Sequence, residues 1–288
     1  MSMLLHILDA LESHCAAQTP DGVDRDARLT GVTADSRQLA EGMVFVAVRG
    51  GSYDGHKFVS EAEKAGVAAI VGEAAPQSLG LSGRVPYIQV SNSRMALSWA
   101  SAAFYGYPSN DLWVLGITGT SGKTTTAYLL ESILLAAGKR PGVIGTVNFR
   151  FGEKIYPATH TTPGAGELQA LLAEMRADGC DSVVMEVSSH ALKQRRCDAV
   201  AFDGMLFTNL SAEHLDYHAD MEDYYTSKRL LFTELKVASI AQGKKPVLVA
   251  NSQDAYGKRL LRDCTDALGF DAKNFEVNAK GIEGEIAT

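Results

Sequence analysis

Leu112-Trp113-Val114-Leu115-Gly116-Ile117 runs straight into Thr118-Gly119-Thr120-Ser121-Gly122-Lys123-Thr124-Thr125-Thr126, and this pair of segments constrains the chain more than any other. The first is apolar on both faces, as a strand buried in a parallel sheet must be. The second carries glycines that let successive N–H groups turn toward a single anion. A helix beginning at Lys123 would add its N-terminal dipole. Strand, glycine-rich turn and helix in that order form a cradle for nucleotide phosphates. Lys123 would neutralise the β- and γ-phosphates, and the Thr124 hydroxyl would ligate Mg²⁺. Gly119, Thr120, Ser121, Gly122, Lys123, Thr124 and Thr125 are therefore the expected ATP-binding residues. The strict G-x-x-x-x-G-K-[ST] spacing fails once, because Ile117 stands where its first glycine belongs. The bland alternative is a turn that caps a helix and holds nothing.

Short β-rich runs alternate with helical patterns elsewhere, the signature of layered α/β domains. In the first hundred residues the patterns predict strands at Met43–Val48, Ala68–Val71 and Val85–Val90, with helices near Met3–Ala16, His56–Ala65 and Ser93–Tyr105. Turn residues from Gly106-Tyr107-Pro108 to Asp111 mark a domain boundary. Beyond it, strands are expected at Gly142–Thr146, Ser182–Val187, Phe202–Phe207 and Pro246–Ala250. Helices are expected at Lys123–Ala137, Glu167–Ala177 and Met221–Leu235. The fold class is thus α/β: residues 1–108 form one α/β domain, and residues 109–288 form an ATPase-like, mostly parallel-sheet domain. After Asn274 a strand-like stretch, Phe275 to Thr288, has no element following it, so the second domain reads as incomplete.

Bulk properties narrow the function classes. The 288 residues fit two domains, and a 46% apolar fraction supplies proper cores. A net charge of −7, from 34 acidic against 27 basic side chains, argues against a nucleic-acid-binding face. The four cysteines make no C-x-x-C pair, which suits a reduced, intracellular protein. No apolar run approaches the roughly 18 residues of a membrane span, so a cytoplasmic protein with no membrane partner is expected.

Lys228 can be read from periodicity alone. Met221, Tyr224, Tyr225, Leu231, Phe232 and Leu235 form one apolar stripe, and Lys228 sits within it. A buried ammonium must be paired, neutralised or modified. The other reading is a lysine whose stem is covered and whose tip reaches water. Glu186 ends a buried strand beside the phosphate loop, where a carboxylate can serve Mg²⁺ or pair with a basic residue.

T-G-T-x-G-K-T-T-T resembles the ATP loop of the Mur ligases and folylpolyglutamate synthetases. Met185-Glu186-Val187-Ser188-Ser189-His190-Ala191-Leu192 resembles the block found in UDP-N-acetylmuramoyl-tripeptide synthetases. Thr161-Thr162-Pro163, Thr208-Asn209-Leu210 and His214-Leu215-Asp216-Tyr217-His218 match further blocks in order. So do Asp35-Ser36-Arg37, Gly42 to Val48, and Asp54-Gly55-His56 in the first domain.

The resemblance implies an ATP-dependent ligase that adds the third amino acid to UDP-N-acetylmuramoyl-L-alanyl-D-glutamate through an acyl phosphate. Its partners would be that UDP-dipeptide and an amino acid, diaminopimelate or lysine, and its cofactor Mg²⁺. Lys123, Lys228 and His214 become the catalytic residues, and Thr124, Glu186, His214 and Lys228 the metal set, with Lys228 carbamylated. Ser36, Thr161, Thr162, Ser188, Gln194 and Arg196 would hold the UDP-substrate, with Arg37 beside Ser36. Gly55-His56-Lys57 resembles a uridine-side loop, or simply opens a helix. His160 departs from the family's usual Asn, and Glu213 from its usual Asp. No segment resembles the part that closes on adenine or the C-terminal amino-acid-selecting domain. The alternatives are an ATP- and UDP-sugar-binding fragment without ligase activity, and the related ligase that adds D-Ala-D-Ala.

Overall fold

The computed structural model describes residues 3–50 and 53–270, with the backbone of residues 276–278, 281–283 and 286–287. The chain forms two compact units. One holds Met1–Pro108 with two later stretches, Gly164–Ala173 and Gln194–Ala199. The other holds Ser109–Pro163, Glu174–Lys193 and Val200–Thr288.

The first unit contains α1 (Leu4–His14), β1 (Gly31–Thr33), β2 (Met43–Ala47), α2 (Val59–Lys64), β3 (Ala69–Gly72), β4 (Tyr87–Gln89) and α3 (Ser93–Phe104). Its sheet has the order β1-β2-β3-β4, all parallel. On α1, Leu4, Ile7, Leu8 and Leu11 are all buried. This i, i+3, i+4, i+7 face contributes about 1.5–3 kcal/mol per side chain. His14, at the end of α1, stacks flat on Trp99 of α3, with centroids 3.5 Å apart. The start of α3 is set by Asn92, whose side chain accepts from the N–H groups of Arg94 and Met95.

The second unit contains β5 (Trp113–Thr118), α4 (Lys123–Ala136), β6 (Pro141–Ile144), β7 (Asn148–Phe151), β8 (Lys154–Pro157), the last turn of α5 (Ala165–Ala177), β9 (Ser182–Glu186) and α6 (Ser189–Lys193). It continues through β10 (Gly204–Phe207), α7 (Met221–Arg229), α8 (Glu234–Ala241), β11 (Val247–Asn251), α9 (Ala255–Asp263) and β12 (Leu268–Phe270), then β13 (Glu276–Asn278), β14 (Gly281–Glu283) and β15 (Ile286–Ala287). The large sheet has the order β15-β12-β11-β10-β5-β9-β6-β7-β8. It is parallel from β12 to β6 and antiparallel at β15, β7 and β8. β5 lies between β9 and β10, so the glycine-rich segment leaves the sheet from its interior. Ligands of open α/β sheets gather at such carboxyl ends.

Three differences from the sequence reading have physical causes. The expected helix Met221–Leu235 is α7, a 3-10 turn at Leu230–Phe232, and then α8. Thr233, at φ −114° and ψ −81°, interrupts the helical path. The apolar stripe survives the break: Tyr224, Tyr225, Leu231, Phe232 and Leu235 are all buried. The expected helix His56–Ala65 opens as a 3-10 turn, Gly55–Phe58, because Asp54 caps it at His56 N–H. The hairpin β7–β8 has a two-residue Gly152-Glu153 turn, with Phe151 paired to Lys154 and Gly152 at φ +53°. β8 is exposed throughout and lacks the alternation that marks a half-buried strand, so pattern reading passes over it.

Of the stretch Phe275 to Thr288, only the backbone of β13–β15 falls within the described residues. Among the described residues no helix is long and apolar enough to cross a membrane. All four cysteines are free thiols.

Candidate functional site

The loop between β5 and α4 is shaped by two glycines. Gly119 has φ +146°, and a Cβ there would lie 1.9 Å from Thr208 Oγ1. Gly122, the N-cap of α4, has φ +85°. Ile117 sits in the place of the missing motif glycine because β5 continues through it. Its side chain is buried with Ala127, Leu134 and Val184, packing strand against helix.

The segment after β10 holds the loop in place. Asn209 O accepts from Thr120 N–H at 2.9 Å, and Asn209 Oδ1 accepts from Ser121 N–H at 2.9 Å. Ser121 O accepts from Thr208 Oγ1 at 2.8 Å and from Asn209 Nδ2 at 3.1 Å. Thr120 Oγ1 lies 3.2 Å from the Tyr224 hydroxyl. In the sequence Thr208-Asn209 is legible only as a family block, and Tyr224 only as a member of the apolar stripe.

Two lysines converge on one carbonyl. Lys123 Nζ donates to Gly119 O at 2.9 Å and Thr120 O at 2.7 Å, and Lys228 Nζ donates to Gly119 O at 2.8 Å. Lys228 is 1% exposed, so the reading of a lysine tip in water is overturned. Its Nζ lies 4.6 Å from the Tyr224 ring centroid. Burial pushes the Lys228 ammonium well below the ordinary lysine value and the Lys123 charge adds to this, while Glu213 opposes. Lys123 is lowered by burial, with Glu186 and Glu213 opposing. Two lysines therefore stand beside the glycine-rich turn at the start of α4, a placement that suits a polyanion, whose charge would favour their protonated forms.

Glu186, at the end of β9, is 1% exposed. Its Oε2 accepts from Thr124 Oγ1 at 3.0 Å and Thr146 Oγ1 at 3.1 Å, and its Oε1 accepts from Thr146 N–H at 3.0 Å. A Cβ on Gly145 would lie 2.4 Å from Oε1, so the approach needs glycine there. Among the described residues the carboxylate meets hydroxyls and an N–H rather than a basic side chain. These hard oxygen donors fit a small divalent cation. Thr146 carried no signal in the sequence.

The structure brings the remaining expected residues together only in part. Thr161 Oγ1 lies 3.1 Å from Thr146 Oγ1 and can donate to it. Thr162 Oγ1 donates to Glu186 O at 2.8 Å and accepts from Ser188 N–H at 3.0 Å. Ser188 Oγ accepts from Ala191 N–H and so opens α6. His214 is exposed, at φ +57°, and its ring borders that of Tyr224 at 6.2 Å. It and Lys228 thus share Tyr224 as a neighbour. Among the described residues no group of three or more His, Cys, Asp or Glu side chains converges as a metal site. His160 is exposed beside Thr159.

In the first unit, Ser36 begins a 3-10 turn, Ser36–Gln38, capped by Asp35. The Arg37 guanidinium bonds Asp35 and lowers its carboxyl to about 2. His56 is buried, with Nδ1 2.5 Å from Asp54 Oδ1 and Nε2 accepting from the N–H groups of Glu73 and Ala74. Both ring nitrogens are used, so His56 ties the fold and has no free nitrogen for a ligand. Gln194 Oε1 accepts from Arg196 at 3.1 Å and 2.7 Å, within the stretch Gln194–Ala199.

Comparison with known proteins gives the family. Residues 117–285 match the Mur ligase middle domain, and residues 28–105 match the Mur ligase family catalytic domain. The chain belongs to the Mur ligase family. This Mur ligase is 42% identical over 275 residues to the UDP-N-acetylmuramoyl-L-alanyl-D-glutamate--2,6-diaminopimelate ligase of Geobacter sulfurreducens, covering 92% of this chain and 53% of that one. With the Geobacter metallireducens protein of the same name it shares 45% over 273 residues, covering 90% and 52%. The Mur ligase therefore spans about half the length of the curated relatives it matches. A solved structure of a diaminopimelate ligase of that name superposes with TM-score 0.76 at 22% identity, covering 98% of this chain and 57% of that one. MurF from Acinetobacter baumannii gives 0.58 at 18%, covering 100% and 58%. At those identities the two structures establish the fold: α/β, with a parallel sheet in the first unit and a mixed one in the second.

Proposed function

We propose that this chain carries the UDP-substrate and ATP-phosphate parts of a cytoplasmic ligase that joins 2,6-diaminopimelate to UDP-N-acetylmuramoyl-L-alanyl-D-glutamate. The observation that carries the reading is the seating of Glu186 against Thr124 at the first turn of α4. There a carboxylate and a hydroxyl meet beside the Lys123 loop. The choice of diaminopimelate over lysine is supported by the shared name of the relatives.

In this reading Gly119, Thr120, Ser121, Gly122, Thr124 and Thr125 surround the phosphates of ATP, and Lys123 swings from the Gly119 and Thr120 carbonyls onto them. Thr124 and Glu186 hold Mg²⁺, and His214 and Lys228 serve a second one. As an ammonium Lys228 is unsuited to a cation, whereas a neutral amine or a carbamate is suited, and its depressed proton affinity favours both. Bound Mg²⁺ supplies charge neutralisation at the transferring phosphoryl group. The γ-phosphoryl passes to the D-glutamyl carboxylate. The amine of the incoming amino acid then attacks the acyl carbon and phosphate leaves. Ser36, Thr161, Ser188, Gln194 and Arg196 would offer hydroxyl, amide and guanidinium donors to the UDP-substrate, whereas Thr162, its hydroxyl spent on Glu186 O, would support Ser188 rather than donate to the ligand.

Calorimetry on the chain tests the reading. Saturable binding of Mg-ATP and of the UDP-dipeptide is expected, with the UDP-dipeptide bound more tightly than the UDP-tripeptide. Tighter binding of the UDP-tripeptide would favour the D-Ala-D-Ala-adding ligase. Absence of nucleotide binding would refute the proposal.

A further inference from the structure

His218 has no part in the reading above, yet it is 1% exposed and both its ring nitrogens are engaged. Nε2 lies 2.9 Å from Ser189 Oγ, and Nδ1 lies 3.3 Å from Asp223 Oδ2. Asp223, in the first turn of α7, also accepts from Ala219 N–H at 3.0 Å and pairs with Lys193 Nζ at 2.5 Å. A carboxylate only accepts, so the proton sits on Nδ1 and the Ser189 hydroxyl donates to Nε2. Ser-His-Asp in this order matches a hydrolytic relay. Ser189 is 1% exposed, however, and no substrate reaches its oxygen. The bonds instead tie α6 to α7, which carries Lys228.

His214 depends on that tie. The backbone N–H of His218 donates to His214 O at 2.9 Å, and Tyr217 N–H donates to the same oxygen at 3.1 Å. At φ +57° His214 occupies a left-handed conformation that is strained for a non-glycine residue and persists only where its surroundings impose it. Its ring is confined as well. His190 stands edge-on to it at 5.0 Å, is stacked on Tyr217 at 4.0 Å, and meets the His218 ring at 5.7 Å. Backbone and ring of His214 therefore both rest on neighbours that the buried His218 fixes.

We infer that His218, anchored between Ser189 and Asp223, is a positioning residue that holds His214 in its left-handed conformation before any ligand arrives. Pre-setting a ligating side chain in this way spares the site the cost of ordering it on binding. The inference rests on the proposed role of His214 toward Mg²⁺.

The test is calorimetric titration of the chain with ATP, once with Mg²⁺ and once with EDTA, for wild type, His214→Ala, His218→Ala and Ser189→Ala. The expected result is that His218→Ala and His214→Ala each lose about tenfold of the tightening that Mg²⁺ confers. Affinity in EDTA should not change, because none of the loop's bonds involves His218. Ser189→Ala removes one hydroxyl and should give a smaller loss of the same kind, so it carries the test should His218→Ala fail to fold. Nitrogen-15 spectra of the imidazole should report the Nδ1-protonated tautomer. Wild-type Mg²⁺ dependence in the His218 and Ser189 variants, beside a deficient His214→Ala, would overturn the inference alone. So would equal losses with and without Mg²⁺. Wild-type behaviour of His214→Ala would overturn the role of His214 and this inference with it.

Discussion

Lys228 Nζ and the carbonyl oxygen of Gly119 are 2.8 Å apart, a hydrogen bond between a buried lysine and the turn that would receive phosphate. The same oxygen also accepts from Lys123, so Lys228 is not needed to satisfy it. An ammonium buried without a carboxylate costs more than it returns.

Lys228→Met should accordingly stabilise the fold by about 1 kcal/mol or more, because Met keeps the volume and removes the charge. The pH dependence carries the same information. The proton affinity of folded Lys228 lies below the ordinary 10.5, so the unfolded chain binds the extra proton between those values and wild-type stability rises with pH there. The advantage of the Met variant should shrink as pH climbs toward 10.5. Thermal melts across that range decide it, and a variant less stable at every pH would contradict the account.

Lys123→Ala should weaken ATP binding by roughly 30-fold, about 2 kcal/mol for a lost charge-assisted bond. The fold should hold, since Gly119 O retains Lys228. Unchanged ATP affinity would remove the phosphate-loop reading.

Glu186→Gln places an amide where three donors point at a carboxylate. The two threonine hydroxyls can rotate and accept from the new NH₂ group, while the amide oxygen still accepts from Thr146 N–H. The variant should fold yet lose most of the Mg²⁺-dependent part of ATP affinity, measured by titration with and without the metal. Full retention of that dependence would show that Glu186 is only a structural acceptor.

Ser36→Ala should raise the Kd for the UDP-dipeptide about three- to tenfold and leave ATP affinity alone. Arg37→Ala should do less, because its guanidinium is held by Asp35 and must leave it to meet a ligand. Calorimetry reporting equal losses for both nucleotides would contradict the assignment of Ser36 to the UDP-substrate.

The sequence by itself determined what local chemistry dictates. β5 was legible because it is apolar on both faces. The loop was legible because only glycine relieves the geometry at Gly119 and Gly122, and α1 because its apolar residues recur at helical spacing. The burial of Lys228 was legible from its place in a stripe that outlasts the break at Thr233. The tertiary structure decided what each polar atom meets. Glu186 finds Thr124 and Thr146 at separations of 62 and 40 residues, and Thr208 and Asn209 reach Ser121 across 87 and 88. His56 and His218 have both nitrogens consumed by the fold, whereas His214 keeps an exposed ring. No local pattern separates these histidines. Their environments arise where distant segments pack, and a hydrogen bond across such a distance is set by strand order and helix placement rather than by the residues on either side.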